Sequence, residues 1–416
     1  MAISFAPCFA AYPTSQRPEM DSAGALGGDI VQVAGGAQCP ILVGSVVGFR
    51  GPGGSVMSRI SNRLPELDLL RLVAASAVVM YHILFRPTVG GELDPRLFGW
   101  VQGVARYGYV GVDLFFLISG FVILMTASRR SPRGFLVHRA LRLYPSFWLA
   151  MALTIIAVDL MDGRPGAAID MRTVLANITM VPGRLGAPYI DGVYWTLGVE
   201  IKFYVFVFVL MLAGLVRRAE LVADLWLVAI AVTSLGYGGA LLRSLSLAPH
   251  GAFFAGGALL YLVSTSGWTP RRAVGVIAAA VMGQASAVQA MSGFIPDIGS
   301  ADTLIVRSLA VACFIAVALA ATWPRTLRHP NRWAALGALT YPLYLVHARI
   351  GRLIFERLQG SMSPIGAALL VIVLVYAVAG LLAWGIELRL VPWLSRHPII
   401  RALEGPAPSA VEPPAT

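Results

Sequence analysis

The chain has 416 residues, of which 57% are hydrophobic and 13% are charged, and its mean hydropathy is +0.74. A soluble globular protein usually carries about twice that share of charged residues, so the composition excludes this class and predicts an all-α membrane helix bundle. The formal net charge of +11 does not indicate nucleic-acid binding, because the basic residues lie mainly between apolar segments, where they set membrane orientation.

Residues 1–60 differ from the rest of the chain. They are rich in Gly, Ala, Ser and Pro and show neither a helical nor a strand period. A signal peptide is not indicated, because the stretch Met1–Tyr12 carries no basic residue. A natural start for the apolar part lies at Met57, so we interpret 1–56 as a disordered tail or an over-long reading frame.

The remainder predicts about ten membrane spans in one domain, 61–392, followed by a cytoplasmic tail, 393–416, that is disordered from residue 402. The predicted spans are 67–86, 109–127, 143–160, 194–215, 222–241, 250–265, 273–291, 304–322, 335–354 and 366–387. Arginines are concentrated in alternate loops, so the positive-inside rule predicts that both termini are cytoplasmic. The loop after the ninth span is an exception, because it carries Arg349, Arg352 and Arg357.

The first span, LDLLRLVAASAVVMYHILF, carries an arginine near one end and a histidine near the other. Arg71 and His82 are eleven residues apart. In a helix this spacing is three turns plus about 20°, so both side chains lie on one stripe, about 16 Å apart. Asp68 lies one turn before Arg71 and can pair with it. Ionisable residues inside a span are costly and usually functional, although an interfacial arginine and a structural histidine are the alternative interpretation.

Later spans carry further ionisable residues at a similar predicted depth. From the predicted topology, Asp113, Glu200 and His347 lie in the outer half of the bundle, as does His82, and we expect the four to converge on one level. The other histidines lie at span ends or in loops and are expected at the surface: His138, His250, His329 and His397.

Five sequence strings follow one another along the chain. The first is the spacing between Arg71 and His82, and the others are GVDLFFLISGF (111–121), HRALRLYP (138–145), YWTLGVEIKFY (194–204) and LGALTYPLYLVH (336–347). In this order they resemble the motifs of acyltransferase family 3, whose members are integral membrane proteins with an R-x10-H pattern. His138 stands where the family has arginine, and Thr196 where it has serine. The resemblance covers about 65–390 of the chain.

The resemblance implies an enzyme that takes an acyl group, usually acetyl, from cytoplasmic acyl-CoA and places it on a hydroxyl, typically of a sugar. His82 is then the candidate general base, and Asp113 or Glu200 is a candidate to orient it. Guanidinium groups can pair with the phosphates of the donor. The predicted substrate- and acyl-CoA-binding residues are Arg71, Arg139, Arg142, Trp195, Tyr204, Tyr341, Tyr344 and His347.

No permanently bound cofactor or metal is expected, and Cys8, Cys39 and Cys313 form no CxxC motif. The expected partners are acyl-CoA, a carbohydrate or glycosylated acceptor and the lipid bilayer, but not nucleic acid, and the expected location is a bacterial inner membrane. Some family members carry an additional hydrolase-like domain, which this chain lacks, so we expect it to act alone. Two alternatives stay open, a proton-coupled transporter and a non-catalytic export protein. A transporter usually shows repeated halves, and we find no convincing repeat.

Overall fold

The computed structural model describes residues 64–89, 98–161, 169–291, 293, 295, 298–323 and 330–405. The predicted N-terminal tail and the last eleven residues of the predicted C-terminal tail, 406–416, lie outside this part of the chain. The described residues form α-helices with short 3₁₀ and π-helical segments and no β-strand, so the predicted all-α architecture is confirmed.

The helices follow one another with short connections. In chain order they are α1 (Pro65–Met80), α2 (Gly99–Ala105), α3 (Gly111–Ala127), α4 (Pro132–Met161), α5 (Met171–Ile178), α6 (Trp195–Leu212), α7 (Ala219–Ser234), α8 (Ala240–Ser246), α9 (Gly251–Ser266), α10 (Pro270–Met291), α11 (Ser300–Thr322), α12 (Pro330–Val346), α13 (Arg349–Leu358), α14 (Pro364–Leu382), α15 (Val391–Arg396) and α16 (Pro398–Glu404). A π-helical turn, Tyr81–Phe85, continues α1 into the short helical segment Arg86–Val89, and a second, Ala383–Leu390, joins α14 to α15.

Seven helical segments of the described chain are long and apolar enough to cross a membrane, and the bent pair α8 and α9 makes eight if it forms one span. The two remaining predicted spans, 222–241 and 335–354, fall on α7 and α12, which have only 16 and 17 residues. The count of about ten is therefore approximate, because these two helices end early. Helix α7 stops just before Gly236, which has a positive φ of 86°, and α12 stops at Val346.

Three boundaries differ from the sequence-based expectation. Helix α4 begins at Pro132, so Arg139 and Arg142 lie within a helix and not in a loop. Proline is favoured in the first turn of a helix. The helix therefore begins at Pro132 and continues without a break into the apolar residues of the predicted span 143–160. Helix α13 is separate from α12 and carries Arg349 and Arg352. The tail expected from 393 is helical through Glu404.

Local sequence explains where several helices begin. Pro65 occupies the first turn of α1, and Glu66 and Asp68 place negative charge there, where it favours the helix dipole. The side chain of Ser363 caps α14 by accepting the backbone N–H of Gly366. These signals fix the first residues of α1, which carries Arg71, and of α14.

The centre of the bundle depends on close packing between α3 and α9. A Cβ atom on Gly120 would overlap the carbonyl oxygen of Phe254, and a Cβ atom on Gly257 would overlap that of Leu117. Small residues let helix backbones approach closely, which is a typical way of packing helices in membranes. Large apolar side chains on the outer faces of α10 and α14 are exposed, among them Val274, Ile277, Leu369 and Val373, as expected for surfaces that face lipid.

Candidate active site

Two cavities lie beside α1 and share one wall. We call the first, of about 100 Å³, the arginine cavity, because Arg71, Arg139 and Arg142 line it. We call the second, of about 490 Å³, the histidine cavity, because His82 and His250 line it. Val112 and Tyr344 line both cavities and so form the wall between them.

The predicted stripe on α1 is confirmed, because Arg71 and His82 line neighbouring cavities on the same side of the helix. The predicted pair of Arg71 with Asp68 is also confirmed, with a guanidinium nitrogen 3.7 Å from a carboxylate oxygen. His82 lies in the π-helical turn Tyr81–Phe85. Such turns are rare and occur frequently at functional sites.

The two arginines of α4 are three residues apart, so they point to the same face of the helix and into the arginine cavity. Arg139 is buried, donates to the hydroxyl of Thr126 and lies 5.7 Å from the ring centre of Tyr204. Arg142 pairs with Glu387 and lies 5.5 Å from the ring centre of Tyr341. Aromatic rings and hydrogen bonds therefore hold both guanidinium groups in fixed positions.

Glu200 also lies in the arginine cavity, away from the histidines. Its carboxylate accepts hydrogen bonds from the hydroxyls of Ser119, at 3.0 Å, and Tyr204, at 2.5 Å. The expected contact between Glu200 and His82 is therefore wrong. The four ionisable residues do not gather in one place, because the Glu200 carboxylate hydrogen-bonds to Ser119 of α3 and to Tyr204 in the arginine cavity.

His82 contacts a second histidine. Its Nδ1 lies 3.0 Å from the carbonyl oxygen of Val78 and 3.2 Å from Nε2 of His347. Nδ1 of His347 in turn lies 2.8 Å from the carbonyl oxygen of Tyr344. The two rings meet edge to face, with their centres 4.8 Å apart.

This chain of contacts sets the tautomers. A carbonyl oxygen can only accept, so Nδ1 of each neutral ring carries the proton. Nε2 of His347 is then the acceptor for His82, and Nε2 of His82 keeps its lone pair. The imidazole ring of His82 is therefore oriented by a histidine and by the helix backbone, and not by a carboxylate as the sequence suggested.

Asp113 pairs with a different histidine in the histidine cavity. Nδ1 of His250 lies 3.8 Å from its carboxylate oxygen, and the expected contact of Asp113 with His82 is absent from the described interactions. The ring of Trp195 packs against His250 with the centres 5.2 Å apart, and Phe116 packs against it at 4.8 Å. Trp195 therefore lines the histidine cavity and not the cavity of the predicted donor-binding arginines.

The sequence analysis missed His250, which it placed at the surface although the residue is only 8% exposed. The residue precedes the first turn of α9, and nothing local indicates that the end of this helix is inside the bundle. It also missed the arginines on the histidine cavity, Arg86, Arg349 and Arg352. The signal for the last two was the excess of arginine after the ninth predicted span.

Asp191 is a further residue on the histidine cavity that the sequence did not indicate. Its carboxylate accepts the backbone N–H of Arg349 at 2.9 Å and that of Val193 at 3.1 Å, which joins the start of α13 to the turn before α6. Burial raises the pKa of Asp191 to about 6, against the lowering effect of these two donors.

The tyrosines of α12 hold the shared wall in place. Tyr341 donates to the carbonyl oxygen of Leu143 at 3.1 Å. Tyr344 lies 3.1 Å from the carbonyl oxygen of Val193 and 2.7 Å from the hydroxyl of Thr196.

Comparison with known proteins identifies the family of this chain. A family profile described as an acyltransferase domain matches residues 64–384. The chain belongs to acyltransferase family 3. Among its relatives are the exopolysaccharide production protein ExoZ of Rhizobium meliloti, 36% identical over 23% of this chain and 32% of the relative, and the putative peptidoglycan O-acetyltransferase YrhL of Bacillus subtilis, 29% identical over 34% of this chain and 23% of the relative.

A third relative is nodulation protein 10 of Rhizobium leguminosarum, 32% identical over 33% of this chain and 42% of the relative. The chain thus spans less than half the length of each of these three family relatives. No solved structure matches the chain. The family match covers both cavities, because all the residues that line them lie between Arg71 and Arg352.

Proposed function

We propose that this acyltransferase family 3 protein moves an acyl group, acetyl in the first instance, from acyl-CoA to a hydroxyl of a carbohydrate or glycosylated metabolite. The observation that carries the proposal is the pair of adjoining cavities, one lined by three arginines and the other by His82, whose Nδ1 contacts Val78 and His347. The names of two relatives contain polysaccharide production and peptidoglycan O-acetylation, which supports a glycan acceptor.

The donor binds in the arginine cavity in this proposal. CoA is a polyanion, and planar guanidinium groups pair well with phosphates. Arg71, Arg139 and Arg142 supply three such groups around one space. The distance of about 16 Å along α1 from Arg71 to His82 suits an extended pantetheine arm that passes Tyr344.

The acceptor hydroxyl binds in the histidine cavity. Nε2 of His82 removes its proton as the oxygen attacks the thioester carbon, which gives a tetrahedral intermediate. The intermediate collapses with cleavage of the carbon–sulfur bond, and the departing CoA thiolate takes up the proton. His347 acts as a positioning residue that holds His82 in the productive tautomer.

We further propose that the two substrates approach from opposite sides of a bacterial inner membrane, with both termini in the cytoplasm. The arginine bias of the loops supports this orientation, and it places the arginine cavity on the cytoplasmic side. A donor that stays inside the cell could then acylate a glycan that has already been exported.

Sealed vesicles of one orientation test the proposal. Radiolabelled acetyl-CoA is supplied on the cytoplasmic face and a membrane-impermeant oligosaccharide mixture from the producing cells on the other face. Labelled glycan is expected with the native protein and not with His82→Ala. Product that forms only when both substrates are on the cytoplasmic face would overturn the cross-membrane route and retain the transferase.

The proton-coupled transporter, the main alternative from the sequence, gains no support from ExoZ and YrhL, whose names describe polymer production and acetyl transfer. A transporter would move solute across the same vesicles without consuming the thioester. Consumption of the thioester only in the presence of acceptor would indicate acyl transfer and not transport.

A further inference from the structure

The histidine cavity carries more arginine than acyl transfer to a neutral sugar requires. Arg86, Arg349 and Arg352 line it, and the first and last of these are exposed while Arg349 is half-buried. Two of them come from the segment that contradicts the positive-inside rule. Arg357, the third arginine of that segment, lines neither cavity and donates to the backbone carbonyl of Met161.

Among the described residues, the lining of the cavity contains three guanidinium groups and two carboxylates, Asp113 and Asp191. Asp113 is buried beside His250, and Asp191 accepts two backbone N–H groups and attracts the guanidinium of Arg349. Arg352 pairs with Glu356 at 2.7 Å, but this pair is exposed on one helix, and such pairs contribute little.

The three arginines lie close to the histidines of the cavity. Arg86 follows His82 by four residues, which is about 6 Å along the helix. Arg349 is the first residue of α13 and follows His347 by two residues. His347 is the histidine that contacts His82. An anionic group bound here would therefore lie within about one sugar ring of the hydroxyl at His82.

We propose that the acceptor of this enzyme is anionic, and that Arg86, Arg349 and Arg352 bind a carboxylate or phosphate beside the hydroxyl to be acylated. The inference rests on the proposed function, because it names the class of acceptor for the same site. A carboxylate would come from a uronic acid within the glycan, and a phosphate from a polyprenyl pyrophosphate carrier at the membrane surface. A planar guanidinium pairs with either group through two parallel hydrogen bonds.

Binding measurements on the full chain in nanodiscs test the inference without turnover. The probes are two matched pairs, a β-1,4-glucuronan hexasaccharide with cellohexaose, and a polyprenyl pyrophosphate with its polyprenol. We expect at least one charged probe to bind about tenfold more tightly than its neutral match. This difference in affinity corresponds to one charge-assisted hydrogen bond. The preference should weaken at high ionic strength.

Arg349→Gln and Arg352→Gln should each remove most of the preference for the charged probe, while Arg357→Gln, on the same helix but outside the cavity, should retain it. The probe pair that responds identifies whether the anion belongs to the glycan or to the lipid carrier. Equal binding of charged and neutral probes in both pairs would overturn the anionic acceptor even if acyl transfer is observed. A preference that depends on Arg349 in a protein with no transferase activity would support the anion site and overturn the proposed function.

Discussion

At the scale of single residues, the histidine pair is the feature that the structure adds to the expected chemistry. His82 alone fits the role of a general base, but its Nδ1 proton lies between the carbonyl oxygen of Val78 and Nε2 of His347. In the proposed mechanism, the neutral His347 thus takes the place that a carboxylate has in a catalytic triad. Such a partner fixes the tautomer without adding a negative charge to the interior of the bundle.

We expect His82→Ala to reduce acyl transfer to less than about a tenth of the native rate, because general-base catalysis contributes roughly 10²–10⁴-fold. His347→Gln, which retains an acceptor for His82, should keep more activity than His347→Leu. Rates from single-turnover assays with purified protein check both expectations. His397→Ala, which lies outside both cavities, is the control, and equal rates for the two His347 variants would refute the positioning role.

The arginines of α4 permit a test of donor binding. Arg139→Lys and Arg142→Lys keep the positive charge, so position 142 can still pair with Glu387. Both remove the planar guanidinium group that suits phosphate. We expect each to raise the apparent KM for acetyl-CoA by about tenfold, the equivalent of roughly 1.4 kcal/mol, with little change in the KM for the acceptor. Arg133→Lys, on the exposed face of the same helix, should behave as the native protein. A change confined to the acceptor KM would contradict the assignment.

At the scale of elements, the crossing of α3 and α9 determines how the cavities are walled. Asp113 and Phe116 stand on α3, and His250 directly precedes α9, so the Asp113–His250 pair depends on this crossing. The glycines at the contact, Gly120 and Gly257, leave no room for a side chain. The packing of two backbones therefore positions one side of the histidine cavity.

Substitution of Gly257 by alanine should destabilise the protein by about 1–3 kcal/mol, because the added methyl group overlaps the Leu117 carbonyl and forces the helices apart. The thermal unfolding midpoint in detergent measures this effect. Gly380→Ala on α14 is the matched control, since a Cβ atom there meets no neighbouring atom, and its midpoint should be unchanged or slightly higher. An unchanged unfolding midpoint for Gly257→Ala would contradict this expectation and show that α3 and α9 can move apart at little cost.

The helix boundaries changed the chemical interpretation of two segments. Because α4 begins at Pro132, its two cavity-lining arginines are held on a rigid helix three residues apart and not in a mobile loop. Because α12 ends at Val346, the chain turns at His347 and then presents Arg349 and Arg352 from a new helix. An extended ninth span would have placed these arginines along lipid.

At the scale of the whole molecule, all the described residues that line the two cavities lie within the region that matches the family, 64–384. We expect a protein that starts at Met57 to insert into the membrane and to retain full transfer activity. Vesicle assays that compare this truncation with the full chain at equal expression provide the test. Loss of activity in the truncated protein would assign a role to residues 1–56.

The sequence by itself determined the membrane class, the helices and the Arg71–His82 stripe. Each of these depends on local rules, which are the length of apolar segments and the angle between residues on one helix. The pair Asp68–Arg71 is local in the same sense, and it was predicted correctly. The order of the five motifs was sufficient to predict the family that the profile then matched.

Only the tertiary structure decided which buried polar residues meet. It paired His82 with His347 and Asp113 with His250, and it placed Glu200 in the other cavity. The physical reason is that a helix that is apolar on all sides carries no periodic signal for the face that turns inwards. Its rotation is set by backbone packing with helices distant in sequence, as at Gly120 and Gly257, and no local pattern contains that information.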